Sequence, residues 1–199
     1  MPLPVAHSLI GASIVTLALR RLDWRFDWRP ILIGALLGLL PDFDLLLSWG
    51  LQRGIEHHGT YTHSILFAVS CGSVVALLRG ERDLRVVAGY IGAVLSHGVI
   101  DALTKDQFGG AALLWPLSTE QIRLGLLPNY EFYPNPSVQG WLRILLDSLP
   151  HMFRELKLYL PVFMLVAAYR YNFGMNSNQG PTPDPAPNRR EKSGRQGSQ

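Results

Sequence analysis

Cysteine is nearly absent: Cys71 stands alone in an apolar stretch, which excludes an intrachain disulfide and a thiolate-based metal site. Such a residue is a small packing or lipid-facing group. Charge is scarce as well, at 17% against 48% apolar residues, poorer and richer respectively than a typical soluble domain. The formal net charge is only +3, and the basic residues are explained by topology and by the C-terminal tail, so nucleic-acid binding is unsupported. No Lys or Arg precedes Arg20. A secretory signal carries its charge before its apolar stretch, so the expectation is a retained first helix. No internal repeat is evident, and 199 residues leave no room for two large domains.

What the chain does have is apolar sequence in blocks. Five segments, roughly 5–19, 31–49, 64–78, 86–103 and 156–173, are candidates to cross or enter a bilayer. A full span takes about 20 apolar residues; the second, fourth and fifth segments approach that length, while the first and third are short. Arg20, Arg21, Arg25 and Arg29 fill the first connection, and Arg79, Arg82 and Arg85 fill the third. Arg170, Arg189, Arg190, Lys192 and Arg195 follow the last segment. Alternate connections are thus the basic ones, the pattern the positive-inside rule gives a five-span protein with its N-terminus outside. The expected fold is all-α: a polytopic membrane bundle of about four or five embedded helices. Residues 1–174 form its domain, with 104–155 as an outer-face or interfacial cap. From 175 onward the composition is too polar to bury a core, and a disordered tail is expected.

Against this background most of the six histidines sit beside carboxylates. Pro41-Asp-Phe-Asp44 interrupts an apolar run, where proline ends or kinks a helix and irregular backbone can aim both carboxylates inward. His58 and His63 flank the start of segment three, with Thr62 or Ser64 available as cap or supporting partner. His97 and Asp101 are four apart and so share one helical face; His151 and Glu155 repeat that spacing. His7 begins segment one. An unpaired ionisable group is costly in apolar surroundings, so a metal, a proton pathway or tight mutual pairing has to compensate. The topology, drawn from Arg and Lys alone, places every one of these groups on the outer face.

The expected metal ligands are His7, Asp44, His58, His63, His97, Asp101, His151 and Glu155. Asp44 is read as a direct ligand, and Asp42 as a second ligand, a partner to a histidine, or the general base. Lys105, one turn past Asp101, is a candidate to stabilise a developing anion. A nitrogen-and-oxygen donor set without thiolate suits zinc first, with manganese or iron as alternatives.

These motifs carry a resemblance. His7-Ser-Leu-Ile-Gly, Gly38-Leu-Leu-Pro-Asp-Phe-Asp44, His58 through Ser64, Ser96-His97 with Asp101, and Leu114-Trp-Pro116 resemble, in order, the bacterial membrane-bound metal-dependent hydrolases of the YdjM type. The resemblance implies a hydrolase of the bacterial plasma membrane, with the bilayer as partner. It departs at Gly59, where that family often has Arg after the loop histidine; Arg53 is the candidate substitute. The chain is also similar, more faintly, to zinc phospholipase C and the fungal single-strand nucleases. Those proteins share an N-terminal His, an Asp followed fourteen residues on by a His (here Asp44 and His58), and then His-x-x-x-Asp and His-x-x-x-Glu. That likeness implies one to three ions and phosphoester hydrolysis, and an outer-face site suggests a lipid-linked or envelope phosphoester. A divalent-cation transporter and a non-catalytic protein braced by a structural metal are the competing classes. The oligomeric state is not legible.

Overall fold

A computed structural model describes residues 4–19, 28–45, 58–104, 110–127 and 140–176. Among them the protein is all-helical, with five helices and no strand beyond two isolated bridges, Thr104 with Leu127 and Ala111 with Ile122. The helices are α1 (Pro4–Ala18), α2 (Arg29–Leu39), α3 (Ile65–Leu78), α4 (Leu84–Leu103) and α5 (Trp141–Asn176). Two 3-10 turns, Leu40–Asp42 and Tyr61–His63, follow α2 and precede α3.

Local chemistry sets the boundaries. Pro30 opens α2, where its missing N–H is not needed. Pro41 cannot continue the α-helical ladder, and the chain tightens into the 3-10 turn that carries Asp42. Ser64 caps α3 by accepting from the Phe67 N–H at 3.1 Å, and Asp83 caps α4 by accepting from Arg85 at 3.1 Å.

Helix α1 packs on α2, α4 and α5, and α4 packs on α1, α2 and α3. The α1–α2 contact is made by small residues four apart. A Cβ on Gly11 would lie 2.3 Å from the Gly34 carbonyl oxygen, and one on Gly38 2.3 Å from that of His7. The two backbones therefore touch, as in small-xxx-small helix pairs within membranes. Farther along, Val15, Leu37, Tyr90, Ala93 and Val94 form a buried apolar cluster with Ala68, Ala76 and Val86.

The apolar segments and the helices agree for α1, α3 and α4 to within two residues at each end. The last helix departs: it begins at Trp141 rather than near 156 and runs 36 residues with Pro150 and Pro161 inside it. Its first half therefore occupies part of the stretch read as a cap. Among the described residues α4, at 20 residues, is the one helix long and apolar enough to cross a membrane; α1 and α3 are shorter apolar helices. The expected tail lies almost wholly outside the described residues.

Candidate metal centre

Four antiparallel helices bring the start of α1, the end of α2, the approach to α3 and the end of α4 to one end of the bundle. His7, Asp42, Asp44, His58, His63, His97 and Asp101 meet there. Two close backbone approaches make the convergence possible. Gly38 lets α2 touch the His7 carbonyl, and a Cβ on Gly98 would lie 2.4 Å from the His63 carbonyl oxygen.

Asp101 lies at the middle. Its Oδ1 is 3.6 Å from His7 Nε2, and its Oδ2 is 3.2 Å from His63 Nε2 and 3.3 Å from His97 Nε2. His97 Nε2 is also 3.2 Å from Asp42 Oδ1. The His7 and His97 rings stack with centroids 3.7 Å apart, and His63 stands edge-on to His97 at 4.9 Å. His7, His63, His97 and Asp101 are all buried, whereas the Asp42 side chain keeps 16% of its surface.

These short separations are not hydrogen bonds. His7 Nδ1 and Nε2, Asp42 Oδ1, His63 Nε2, His97 Nε2 and both Asp101 oxygens are buried without a hydrogen-bond partner. Leaving one such group unmade costs about 1–3 kcal/mol and a charged one more. Seven around one small space call for something to satisfy them. Donor atoms about 2.1 Å from one tetrahedral zinc lie about 3.4 Å apart, and the His–Asp separations here run from 3.2 to 3.6 Å. The residues therefore fit a divalent cation. Three overlapping groups have donor atoms within 4.8 Å of one another: His7, Asp42 and His97; Asp42, His58 and His63; His63, His97 and Asp101. Asp42, His63 and His97 each serve two of these groups, an arrangement able to hold one ion or two neighbours.

The supporting contacts fix how the donors point. His97 Nδ1 donates to the Gly38 carbonyl at 2.7 Å, which leaves Nε2 as the lone-pair nitrogen. Asp44 stands behind the histidines. Its Oδ1 is 2.9 Å from His58 Nδ1, its Oδ2 accepts from the Thr62 hydroxyl at 2.7 Å, and Thr62 Oγ1 is 2.9 Å from His63 Nδ1. Gln121 donates to the His58 carbonyl at 3.1 Å. Burial alone would lower the His58 pKa, but the bonded Asp44 carboxylate outweighs it and raises it. At His63 burial wins over the Asp101 carboxylate and the pKa falls, which favours the neutral, ligating form.

Of the two carboxylates in Pro41–Asp44, then, Asp42 faces the other donors and Asp44 braces His58 and His63. His151 and Glu155 belong to none of the three groups. The fully buried Glu155 accepts from the Ala6 N–H at 3.1 Å, tying α5 to the first turn of α1 beside His7. Gly59 has a φ of 77°, and a Cβ there would meet the Gly110 carbonyl at 2.4 Å, so a side chain at this position is strained and obstructed. Lys105, His57 and Arg53 lie outside the described residues. Sequence reasoning did not find the Gly38 carbonyl, Gln121 or Gly98; the four-residue spacing of Gly34 and Gly38, a small-residue pattern not read there, is the one signal that could have pointed to the close approach.

Fold and site together define a class: an apolar helical bundle holding a buried histidine–carboxylate centre at one end. A model of the YdjM inner membrane protein family matches residues 1–175, and the chain belongs to that family. No curated protein and no solved structure matches it.

Proposed function

We propose that the chain is a multi-pass inner-membrane hydrolase, dependent on a divalent metal, with its centre on the outer face and a phosphoester or lipid-linked substrate. The observation that carries the reading is the set of seven buried, unpartnered donor and acceptor atoms converging from α1, α4 and the two 3-10 turns. His7, His63, His97 and Asp101 hold the metal, with His58 joining from the loop and Asp42 standing beside them at the partly exposed side. When bound, a divalent ion supplies Lewis-acid polarisation of the scissile group and activation of water.

The protein's own groups supply the rest. Asp101, fully enclosed, spans His7, His63 and His97 and keeps them in register. Asp42 is the partly exposed carboxylate of the centre, which suits it to take a proton from an attacking water reached from outside. The family's membrane character, the 20-residue apolar α4 and large exposed apolar side chains such as Leu36, Leu77, Leu78 and Leu84 support embedding in lipid. Donors gathered at one end of the helices favour an enzyme over a transporter, which holds its ions near the bilayer midplane.

The test is a phosphoester screen that includes lipid head groups, on detergent-purified protein loaded with zinc or manganese, wild type beside Asp42→Asn. Metal-dependent turnover lost in Asp42→Asn with the metal retained supports the reading. A metal-loaded wild type that turns over no phosphoester sinks it in favour of a structural or transport site.

A further inference from the structure

We propose that Thr62 is a positioning residue whose single hydroxyl proton sets the tautomer of His63 and couples it, through Asp44, to His58. The inference rests on the metal-centre reading and assigns the support of its loop-side half.

The argument is a count of protons. The Thr62 hydroxyl donates to Asp44 Oδ2 at 2.7 Å, so its one proton is committed to that carboxyl oxygen. Thr62 Oγ1 also lies 2.9 Å from His63 Nδ1. With its proton already used, the oxygen can offer that nitrogen only a lone pair, so His63 Nδ1 must carry the hydrogen. The lone pair of the ring is then on Nε2, the atom that faces Asp101 at 3.2 Å without a hydrogen-bond partner. The other oxygen of the same carboxylate is 2.9 Å from His58 Nδ1 and holds that ring by its Nδ1 side, leaving Nε2 available.

One carboxylate thus orients two imidazoles, one directly and one through a hydroxyl relay. All four side chains, Asp44, Thr62, His58 and His63, are buried, so water is poorly placed to substitute for the relay. The backbone favours the arrangement. Tyr61–His63 is a 3-10 turn, and Ser64 both donates to the Tyr61 carbonyl at 2.7 Å and caps α3, which pins Thr62 and His63 as a unit. Valine has the shape of threonine without the proton or the lone pair; serine keeps both.

The experiment titrates the full chain in detergent with Co(II), read by its visible absorption and by competition with zinc, for wild type, Thr62→Val and Thr62→Ser. Outer supports of this kind are worth about 10–100-fold in metal affinity. The expected result is a loss of that size in Thr62→Val, with an altered Co(II) spectrum, unchanged helical circular dichroism, and Thr62→Ser close to wild type. Wild-type affinity and spectrum in Thr62→Val overturn the relay while leaving the metal centre standing. A wild type that binds neither ion overturns the centre and the relay together. If Thr62→Val does not fold, long-range 15N–1H spectra of histidine-labelled, metal-free wild type decide: a His63 protonated at Nδ1 supports the proposal, and one protonated at Nε2 overturns it.

Discussion

The same helices behave differently at their two ends. Toward one end, Val15 of α1, Leu37 of α2 and Val86, Tyr90 and Val94 of α4 interlock as a buried apolar cluster. At the other, His7, Asp42, His97 and Asp101 crowd together with buried polar atoms unpartnered. On α4 the change takes a single turn, from Val94 to His97. The apolar end pays for the polar one: buried surface and backbone contact hold together a cluster that by itself opposes folding. Substitutions at the first end should therefore act on stability, and those at the second on ion binding.

The largest effect tests the apolar end. Tyr90 is fully buried, and Tyr90→Ala should destabilise the protein by about 3–5 kcal/mol. Thermal unfolding in detergent checks this, and a melting point within a degree or two of wild type would break the comparison. Next comes the polar end. Asp101→Ala should cut zinc affinity by more than the about 100-fold that marks loss of an outer support. The metal-free variant should melt no lower than metal-free wild type, because a buried carboxylate without a hydrogen-bond partner has gone; a marked drop in its apo melting point would make Asp101 a stability group.

Gly38→Ala should affect both ends, since its new methyl meets the His7 carbonyl and Gly38 also accepts from His97. Overpacking of about 1–3 kcal/mol is expected, together with weaker metal binding; a loss in only one of the two readouts would show the two ends to be independent at this position. Smallest is the pH effect. The His58 pKa is raised, so its proton stabilises the metal-free fold at low pH and that contribution is lost as pH rises through the folded value. A metal must displace the proton, so affinity should climb with pH across the neutral range and flatten above it. A pH-independent affinity in isothermal titration would contradict the assignment of His58.

Much of this was legible in the residues, for identifiable reasons. Continuous apolar runs with few charges located α1, α3 and α4, because in such runs burial and helicity coincide. The start of α5 was not legible. Residues 141–155 alternate charge with leucine around Pro150, and an apolar-run criterion reads that as a break although the helix continues through it. The convergence of His7, Asp42, His58, His63, His97 and Asp101 followed from charge-based topology, since each lies at the same end of an alternating set of helices. Which of Asp42 and Asp44 faces inward did not follow. That choice is made by the 3-10 turn at Leu40–Asp42, and positions two apart carry no sequence mark of it. Nor could spacing place Glu155, which is buried at the Ala6 N–H.

The central claim is that the unpartnered atoms at the polar end exist to hold a cation. The most direct measurement is the metal content of detergent-purified, full-length wild-type protein, by mass spectrometry, before and after chelation and resupply. The account predicts zinc, manganese or iron in stoichiometric amount, removed by the chelator and restored on resupply. A folded protein that stays metal-free when these ions are provided would contradict it.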